Sequence, residues 1–204
     1  TAQLFDVDVR ILNKEQIKKD YPIINTDEVL GGILMPGDGA ADPSGVTHML
    51  AKAAKMEGAK IYEKSPVQKI ITKNGKISGV KVEDHIIDCE YIVLASGMWS
   101  RQIAEKAGVS IPLYPAEHFY IITEPIKSLS SNLPVIRDFD NRTYIKEDAG
   151  KILVGIFEGN SIPAWDKTNK VPEDFSFGEF QENFEHFEPY LASAIKRFPI
   201  LETA

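Results

Sequence analysis

The chain has little of what marks secreted, membrane-bound or nucleic-acid-binding proteins. Its single cysteine, Cys89, excludes a disulfide within the chain, so we expect a reducing, cytoplasmic location. The net charge of −7 and the lack of any basic run longer than Lys18-Lys19 argue against a nucleic acid or an anionic membrane as partner. No apolar run approaches the ~20 residues of a membrane helix, and Thr1-Ala2-Gln3 is not expected to open a secretory signal.

Several motifs of known chemistry are also absent. The four histidines have neither H-x-x-x-H spacing nor a cysteine pair beside them, so we predict no metal site. No G-x-S-x-G turn is present, which argues against a serine hydrolase. The dinucleotide fingerprint G-x-G-x-x-G is missing too. Its nearest approach, at residues 37–42, has Asp42 in place of the third glycine and no clear strand before it.

One segment nevertheless has the pattern of a nucleotide-binding α/β domain. Residues 91–95 predict a short buried parallel strand, which stops at Ser96-Gly97, where a helix-like pattern begins. Doubly wound domains approach a nucleotide with such a strand, glycine turn and helix. Since the phosphate-binding entrance is missing, we expect an interior piece of a larger protein. Its 204 residues with 43% hydrophobic content are enough to bury a core.

The rest of the chain predicts an α/β fold. Asp42-Pro43 caps a helix that ends near Gly58, and Lys73-Asn74-Gly75-Lys76 is typical of a type I′ hairpin turn. From Pro112 onward the pattern indicates an antiparallel sheet followed by two helices. The further expected strands are 5–12, 31–35, 60–62, 67–72, 77–82, 85–88, 114–123, 142–147 and 152–157, and the further helices are 14–20, 99–107, 177–184 and 189–198.

Five segments resemble one family of flavoproteins in their order and spacing. They are Gly31-Gly32 through Pro36-Gly37-Asp38-Gly39, then Asp42-Pro43, Ala95-Ser96-Gly97-Met98-Trp99, Glu117-His118-Phe119-Tyr120, and Leu133-Pro134-Val135-Ile136-Arg137-Asp138 followed by Tyr144. The set resembles the D-amino acid oxidase-like FAD-dependent oxidoreductases. Within them it is most similar to the group of dimethylglycine oxidase, dimethylglycine dehydrogenase and sarcosine dehydrogenase. The likeness covers roughly residues 30–160.

The resemblance implies a fold and an activity. The fold would contain a partial, Rossmann-like FAD-binding unit with a β-meander at residues 35–110, and a substrate-side antiparallel sheet with helices from residues 1–34 and 111–204. The complete protein would use FAD to oxidise the N-methyl group of a small amino acid such as dimethylglycine or sarcosine. The isolated chain is expected to be inactive and not to retain FAD, because its pyrophosphate would lack the usual helix N-terminus.

The same resemblance implies partners and leaves alternatives open. The partners would be the N-methylated substrate, the rest of the polypeptide, and a folate domain or an electron acceptor. A eukaryotic member of the group would act in the mitochondrial matrix. One alternative is oxidation at the α-carbon, as in glycine and D-amino acid oxidases. Another is a non-catalytic scaffold or partner-binding piece.

The resemblance also implies site residues. His118 and Tyr144 would be catalytic, His118 acting on the amine and Tyr144 on a carboxylate or the flavin edge. The cofactor-binding residues would be Val67, Ala95, Ser96, Gly97, Trp99 and Tyr144. Taken alone, His118 and Tyr144 are also explained as packed strand residues, and Trp99 as a core residue. Arg137 has the chemistry of a carboxylate clamp, a role that the resemblance does not itself assign.

Overall fold

The computed structural model describes residues 2–127 and 129–204, and the chain divides into two compact units. The first unit consists of Thr1–Asp42, His118–Ser161 and Gln181–Ala204, and the second of Pro43–Glu117 and Ile162–Phe180. Both units combine helices with antiparallel sheets, so the fold is a mixture of helix and strand as predicted.

Nine strands and four α-helices are present in the described residues. The strands are β1 (Arg10–Leu12), β2 (Gly32–Leu34), β3 (Val67–Lys73), β4 (Lys76–Val82), β5 (His85–Asp88), β6 (Tyr120–Ile122), β7 (Ile136–Asp138), β8 (Thr143–Asp148) and β9 (Lys151–Ile156). The α-helices are α1 (Lys14–Asp20), α2 (Pro43–Met56), α3 (Ser100–Glu105) and α4 (Phe184–Arg197). Short 3₁₀ helices cover Ala2–Phe5, Gly97–Trp99 and Pro199–Thr203.

The first unit is built on a four-stranded antiparallel sheet in the order β6-β9-β8-β7. Because side chains alternate between the faces of a strand, the register separates two rows of residues. One row, Ile121, Val154, Ile145 and Ile136, belongs to the apolar face. The core against this face consists of Tyr21, Ile24, Ile145, Ile152, Val154, Ala194, Phe198 and Leu201. The side chains on the opposite face of the sheet therefore lie outside this core.

A part-buried ion pair joins the sheet to the end of helix α4. Arg197 Nε lies 2.9 Å from Asp138 Oδ2, and the two side chains are only 13% and 10% exposed. Asp138 also accepts hydrogen bonds from the backbone and the side chain of Asn141, while Arg197 donates to the Asn25 carbonyl. The charged groups are thus paired and hydrogen-bonded, which offsets the cost of removing them from water.

The second unit contains helix α2 and the meander β3-β4-β5. Asn74 and Gly75 have φ values of 51° and 74°, which is the left-handed pair that a type I′ hairpin turn requires. Three side chains around helix α3 donate to the backbone carbonyls of a later segment, residues 169–172: Trp99 Nε1 to Pro172, Arg101 to Asn169, and Gln102 to Val171. These bonds hold residues 169–172 against the helix.

Helix α2, the meander and the antiparallel pair β8-β9 confirm the predictions made for them, but several other predicted elements are wrong or shorter, and the strand predicted at 5–12 is reduced to β1. Residues 91–95 form no strand, because none of the described residues pairs with them. Val93 is 87% exposed, so the neighbours that a buried parallel strand needs are not supplied by the described chain. Residues 60–62 form no strand either, and the strand predicted at 114–123 is reduced to β6.

The acidic and aromatic tail forms one helix where two were predicted. Helix α4 begins after Asn183, whose side chain accepts a hydrogen bond from the His186 backbone N–H, and it continues through Pro189. Residues 177–183 precede this cap and are not helical. The proline is tolerated because Phe187 and Ala194 bury the same helix against the core, which outweighs one lost backbone hydrogen bond.

Candidate functional site

The open face of the four-stranded sheet carries a group of polar and aromatic side chains. Arg137, Tyr144, Gly155 and Tyr120 lie opposite one another on four adjacent strands and form one row on this face. His118 lies two residues before Tyr120, and Phe157 lies two residues after Gly155, so both extend the same face. We call the set of His118, Tyr120, Arg137, Tyr144 and Phe157 the open-face cluster.

His118 and Tyr144, the two predicted catalytic residues, lie together in this cluster. His118 Nε2 is 3.3 Å from the Tyr144 hydroxyl, and the two rings are stacked with an interplanar angle of 7°. The His118 side chain is 46% exposed, so a ligand can reach its ring. Phe157 contacts both rings, with centroid distances of 6.1 Å to His118 and 5.3 Å to Tyr144.

A buried carboxylate holds the other nitrogen of the imidazole. Glu158 Oε2 lies 3.3 Å from His118 Nδ1, and Glu158 Oε1 accepts the Phe119 backbone N–H at 3.0 Å. The Glu158 side chain is only 3% exposed. Because an ionised carboxylate can only accept, Nδ1 is the donor in this pair. In the neutral ring Nε2 is then an acceptor, and the Tyr144 hydroxyl donates to it.

A glycine makes room for this arrangement. A Cβ at position 155 would overlap the Tyr144 ring, so only glycine allows the ring to lie across strand β9. The Tyr144 side chain therefore extends from strand β8 across β9. Its hydroxyl reaches His118, which lies just before strand β6. Gly159 does the same for Arg142, whose guanidinium occupies the space that a Cβ would fill.

The Tyr144 hydroxyl keeps its proton beyond the pH at which an ordinary tyrosine loses it. Burial raises the pKa of Tyr144 above 10.0, and the nearby Tyr120 and Glu158 raise it further, while Arg137 lowers it. A phenol with a raised pKa remains a hydrogen-bond donor at neutral pH. The Tyr144 hydroxyl can therefore donate to His118 Nε2, or to a ligand atom that takes the place of Nε2 as acceptor.

Arg137 supplies a positive charge at the edge of the cluster. Its guanidinium carbon lies 5.4 Å from the centroid of the Phe157 ring, a cation–π distance. Within residues 2–127 and 129–204 no acidic side chain or hydrogen-bond acceptor pairs with this guanidinium. The open face thus combines an imidazole, a phenol and a guanidinium around one aromatic ring.

The predicted cofactor-binding residues other than Tyr144 lie in the second unit. Ala95, Ser96 and Gly97 lead into helix α3, and Gly97 has a φ of 52° with nothing within 4 Å of an added Cβ. Val67 begins β3, an edge strand of its sheet, and its carbonyl accepts Lys106 Nζ at 3.2 Å. In the described residues the outer edge of β3 is unpaired, and the cofactor roles predicted for these residues remain predictions.

Trp99 has a structural partner of its own. Its indole N–H donates to the Pro172 carbonyl at 3.0 Å, which uses its single donor within the second unit. The ring then has no further hydrogen-bond donor for a cofactor. The cofactor role predicted for Trp99 remains a prediction, and this contact explains the residue without it.

Two kinds of feature are absent from the described residues. No group of three or more histidine, cysteine, aspartate or glutamate side chains is placed to hold a metal ion in residues 2–127 and 129–204. No helix in the same part of the chain has the length and apolar character needed to cross a membrane.

Sequence reasoning did not identify Glu158 or Gly155 as part of the site. Glu158 follows strand β9 and meets His118 from 40 positions away, so no local pattern joins them. The available signal was a glycine inside an otherwise apolar run, Leu153-Val154-Gly155-Ile156, which can mark the close approach of another group.

Comparison with protein families and curated proteins identifies the family. A family model described as FAD dependent oxidoreductase matches residues 1–204. The chain is 36% identical over 193 residues to 4-methylaminobutanoate oxidase (formaldehyde-forming) of Paenarthrobacter nicotinovorans. It is 34% identical over 196 residues to the mitochondrial pyruvate dehydrogenase phosphatase regulatory subunit of Mus musculus, and 32% identical over 206 residues to mitochondrial sarcosine dehydrogenase of Homo sapiens.

These matches cover 95%, 95% and 98% of the chain, and 23%, 22% and 22% of the respective relatives. The chain therefore spans less than a quarter of the length of these relatives.

Solved structures show the same fold. The crystal structure of L-proline dehydrogenase from P. horikoshii matches with a TM-score of 0.79 and 28% identity, over 98% of this chain and 50% of that chain. Glycine oxidase from Bacillus cereus matches with a TM-score of 0.66 over 98% of this chain and 50% of that chain. At 23% identity the second match shows the fold alone. The predicted fold class and family resemblance are confirmed.

Proposed function

The chain belongs to the family of FAD dependent oxidoreductases, and from that premise we propose that the full-length protein oxidises the N-methyl group of a small amino acid. The observation that carries the proposal is the pair of His118 and Tyr144 on an exposed sheet face, 3.3 Å apart. The names of two relatives, 4-methylaminobutanoate oxidase (formaldehyde-forming) and sarcosine dehydrogenase, support an N-methylated amino acid as substrate.

His118 is proposed to act on the substrate amine. Hydride loss needs a nitrogen lone pair that can form the C=N bond of the iminium, and only a neutral amine has one. At neutral pH a free amino acid carries an ammonium group. His118 Nε2, which is an acceptor in the neutral ring, can take that proton. The N-methyl C–H bond then breaks, and FAD supplies the acceptor for the hydride. Water adds to the iminium, and the products are formaldehyde and the demethylated amine.

Tyr144 is proposed to orient the substrate beside His118. Its hydroxyl already donates to Nε2, and it keeps its proton because burial raises its pKa. A bound amine or carboxylate can replace His118 as the partner of this hydroxyl. Tyr144 would also contact the edge of the flavin, as the family resemblance implies.

FAD is proposed to lie against the turn Ala95-Ser96-Gly97, with Val67 at the strand edge and Trp99 as further contacts. An added Cβ at Gly97 would meet nothing within 4 Å, and this open space supports the placement. The isolated 204-residue chain is not expected to retain FAD, because it contains no G-x-G-x-x-G turn to hold the pyrophosphate.

The partners and location of the full-length protein follow the same proposal. The substrate and the rest of the polypeptide are the expected partners, with a folate domain or an electron acceptor to take up the products. The cytoplasm is the expected location, or the mitochondrial matrix in a eukaryote, because two relatives carry the word mitochondrial in their names.

One comparison favours a second candidate, in which the fold has no catalytic role. A relative of 34% identity is named a phosphatase regulatory subunit, so a chain of this family can serve in a regulatory assembly. This candidate predicts a full-length protein whose flavin, where present, is not reduced by any amino acid.

Anaerobic mixing of the full-length flavoprotein with candidate substrates tests these alternatives. Sarcosine, dimethylglycine and 4-methylaminobutanoate are expected to bleach the flavin absorbance, and formaldehyde should form in equal amount. Bleaching by glycine or D-alanine alone would indicate oxidation at the α-carbon, and no bleaching at all would favour the regulatory candidate. In the His118→Ala variant, the bound flavin should remain while its reduction slows about a hundredfold.

A further inference from the structure

We propose that one face of the hairpin β3-β4 binds a short acidic segment of a partner protein. This inference is independent of the proposed oxidation, because none of its residues belongs to the open-face cluster. It begins with an uneven distribution of charge along the chain. Residues 43–82 contain eight lysines, no arginine and only two acidic residues, Glu57 and Glu63, whereas the whole chain has a net charge of −7.

Four of these lysines lie on one face of the hairpin. Lys69 is directly opposite Lys81, and Lys73 is directly opposite Lys76. Opposite residues of an antiparallel pair share a face, and so do residues four apart on one strand. The register shift between the two pairs adds its extra residue to β4, so the alternation along β3 holds. All four side chains are exposed, and we call them the lysine strip.

The lysine strip has no counter-charge of its own. Like charges directly opposite each other destabilise a sheet, and this hairpin contains two such pairs. No acidic side chain within residues 2–127 and 129–204 forms an ion pair with the strip. Asp88 lies on the same face but is opposite Gly79, on strand β5. A bound anionic group would therefore relieve the repulsion between the lysines.

The other face of the meander is the one suited to burial. Ile70, Val80 and Ile87 lie opposite one another there on the three strands, and Ile70 is only 5% exposed. Lysine is almost never fully buried without a partner. We therefore expect further parts of the full-length protein to pack on this apolar face and to leave the lysine strip in water.

An acidic peptide segment fits the dimensions of the strip. Four residues of a strand span about 14 Å, so the two lysine pairs lie about that far apart. An extended peptide with carboxylates four residues apart would place one carboxylate beside each pair. Ammonium groups act as point charges on flexible stems, so they can follow such a segment without a fixed bidentate geometry.

The charge of the remaining chain selects against a larger polyanion. A short peptide meets only the charges within a Debye length, about 8 Å at physiological salt. A nucleic acid or an anionic membrane extends beyond the strip, and in the rest of the chain acidic residues outnumber basic ones. The strip also contains no arginine and no aromatic ring, the side chains that hold phosphates in a fork or stack on bases.

Fluorescence anisotropy on the full-length protein tests the inference. The probe is a labelled peptide of six glutamates, acetylated and amidated at its ends. It should bind at low ionic strength and dissociate as salt is added. Replacement of the whole lysine strip by glutamine should raise the dissociation constant about tenfold or more, because four charge pairs are lost together. A peptide of six glutamines should not bind the parent.

A matched control changes four other exposed lysines to glutamine, namely Lys14, Lys19, Lys167 and Lys170. It alters the net charge equally and should bind the glutamate peptide like the parent. An equal loss in this control would overturn the inference, and so would unchanged binding in the strip variant or no binding in the parent. Tighter strip-dependent binding of oligothymidylate or phosphatidylserine vesicles would overturn it in favour of a nucleic acid or a membrane.

The melting temperature of the unliganded protein gives a second measurement. Lys81→Gln removes one of the two like-charge contacts, so it should raise the melting temperature at low salt relative to Lys14→Gln. The difference should disappear at high salt, where the repulsion is screened. A lower melting temperature in Lys81→Gln would show that Lys81 already has a stabilising partner in the full-length protein, and the inference would fail.

Discussion

The ring of Tyr144 occupies the volume that a side chain at position 155 would fill, so Gly155 and Tyr144 form one structural pair across strands β8 and β9. This pairing brings the tyrosine hydroxyl to 3.3 Å from His118 Nε2. The cluster thus depends on a residue without a side chain.

Gly155→Ala should displace the Tyr144 ring. The added methyl overlaps the ring, and overpacking of this kind costs about 1–3 kcal/mol. We expect a lower melting temperature and slower flavin reduction in the full-length protein. Gly39→Ala is the matched control, because its added Cβ meets nothing within 4 Å. In a Tyr144→Ala background the Gly155→Ala change should cost much less, and an unchanged cost there would contradict the pairing.

Local signals explain which parts of the fold could be predicted. The Asp42-Pro43 cap and the Asn74-Gly75 turn act within a few residues, and both elements formed where expected. The strand at residues 91–95 depends on neighbours that the described chain does not provide, so its apolar pattern was misleading. His118 and Tyr144 came from a resemblance to a family and not from spacing. Their contact depends on the register of β6, β9 and β8, which no local pattern contains.

Glu158→Gln should reverse the tautomer of His118. The glutamine carbonyl can still accept the Phe119 N–H, but its amide now donates to Nδ1. Nε2 then carries the proton and can no longer accept from Tyr144 or from an amine. We expect flavin reduction to slow about 10- to 100-fold with little change in stability, and ¹⁵N NMR of the ring nitrogens should show the exchange of tautomers. Retention of the parent tautomer in Glu158→Gln would rule out this positioning role.

Asp138→Asn should destabilise the first unit at neutral pH. It leaves Arg197, which is only 13% exposed, without its counter-charge, which costs on the order of 1–3 kcal/mol. Burial raises the pKa of Asp138, but hydrogen bonds from Asn141 and Arg197 outweigh it, so the pKa lies below 3.8 in the folded protein. A lowered folded pKa gives stability that is present above pH 3.8 and lost as the pH falls through the folded value.

Melting curves from pH 7 to pH 2 measure this effect. The gap in melting temperature between parent and Asp138→Asn should be constant above about pH 5 and shrink below pH 3.8. Glu28→Gln is the control, because the Glu28–Lys196 pair is 65% and 67% exposed and should contribute far less. A gap that stays constant down to pH 2 would show that the Asp138 charge does not stabilise the fold.

Tyr144→Phe removes one hydroxyl and keeps the ring over Gly155. The hydroxyl donates one hydrogen bond at the site, so flavin reduction should slow by about fivefold, corresponding to about 1 kcal/mol. Tyr120→Phe is the matched control, since that hydroxyl lies in the same row without a hydrogen-bond partner in the described residues, and its effect on the rate should be smaller.

The raised pKa of Tyr144 gives a second measurement on the Tyr144→Phe variant. Burial favours the neutral phenol, so any stability that the hydroxyl contributes is fully present below pH 10.0 and is lost as the pH rises through the folded pKa. The ultraviolet titration of phenolate should therefore lose a step that lies above pH 10.0 in the parent. Loss of a step at or below pH 10.0 would mean that the hydroxyl is not buried in this cluster. If Tyr144→Phe lowers the stability but leaves the kinetics of flavin reduction unchanged, the hydroxyl stabilises the fold and does not act on the substrate.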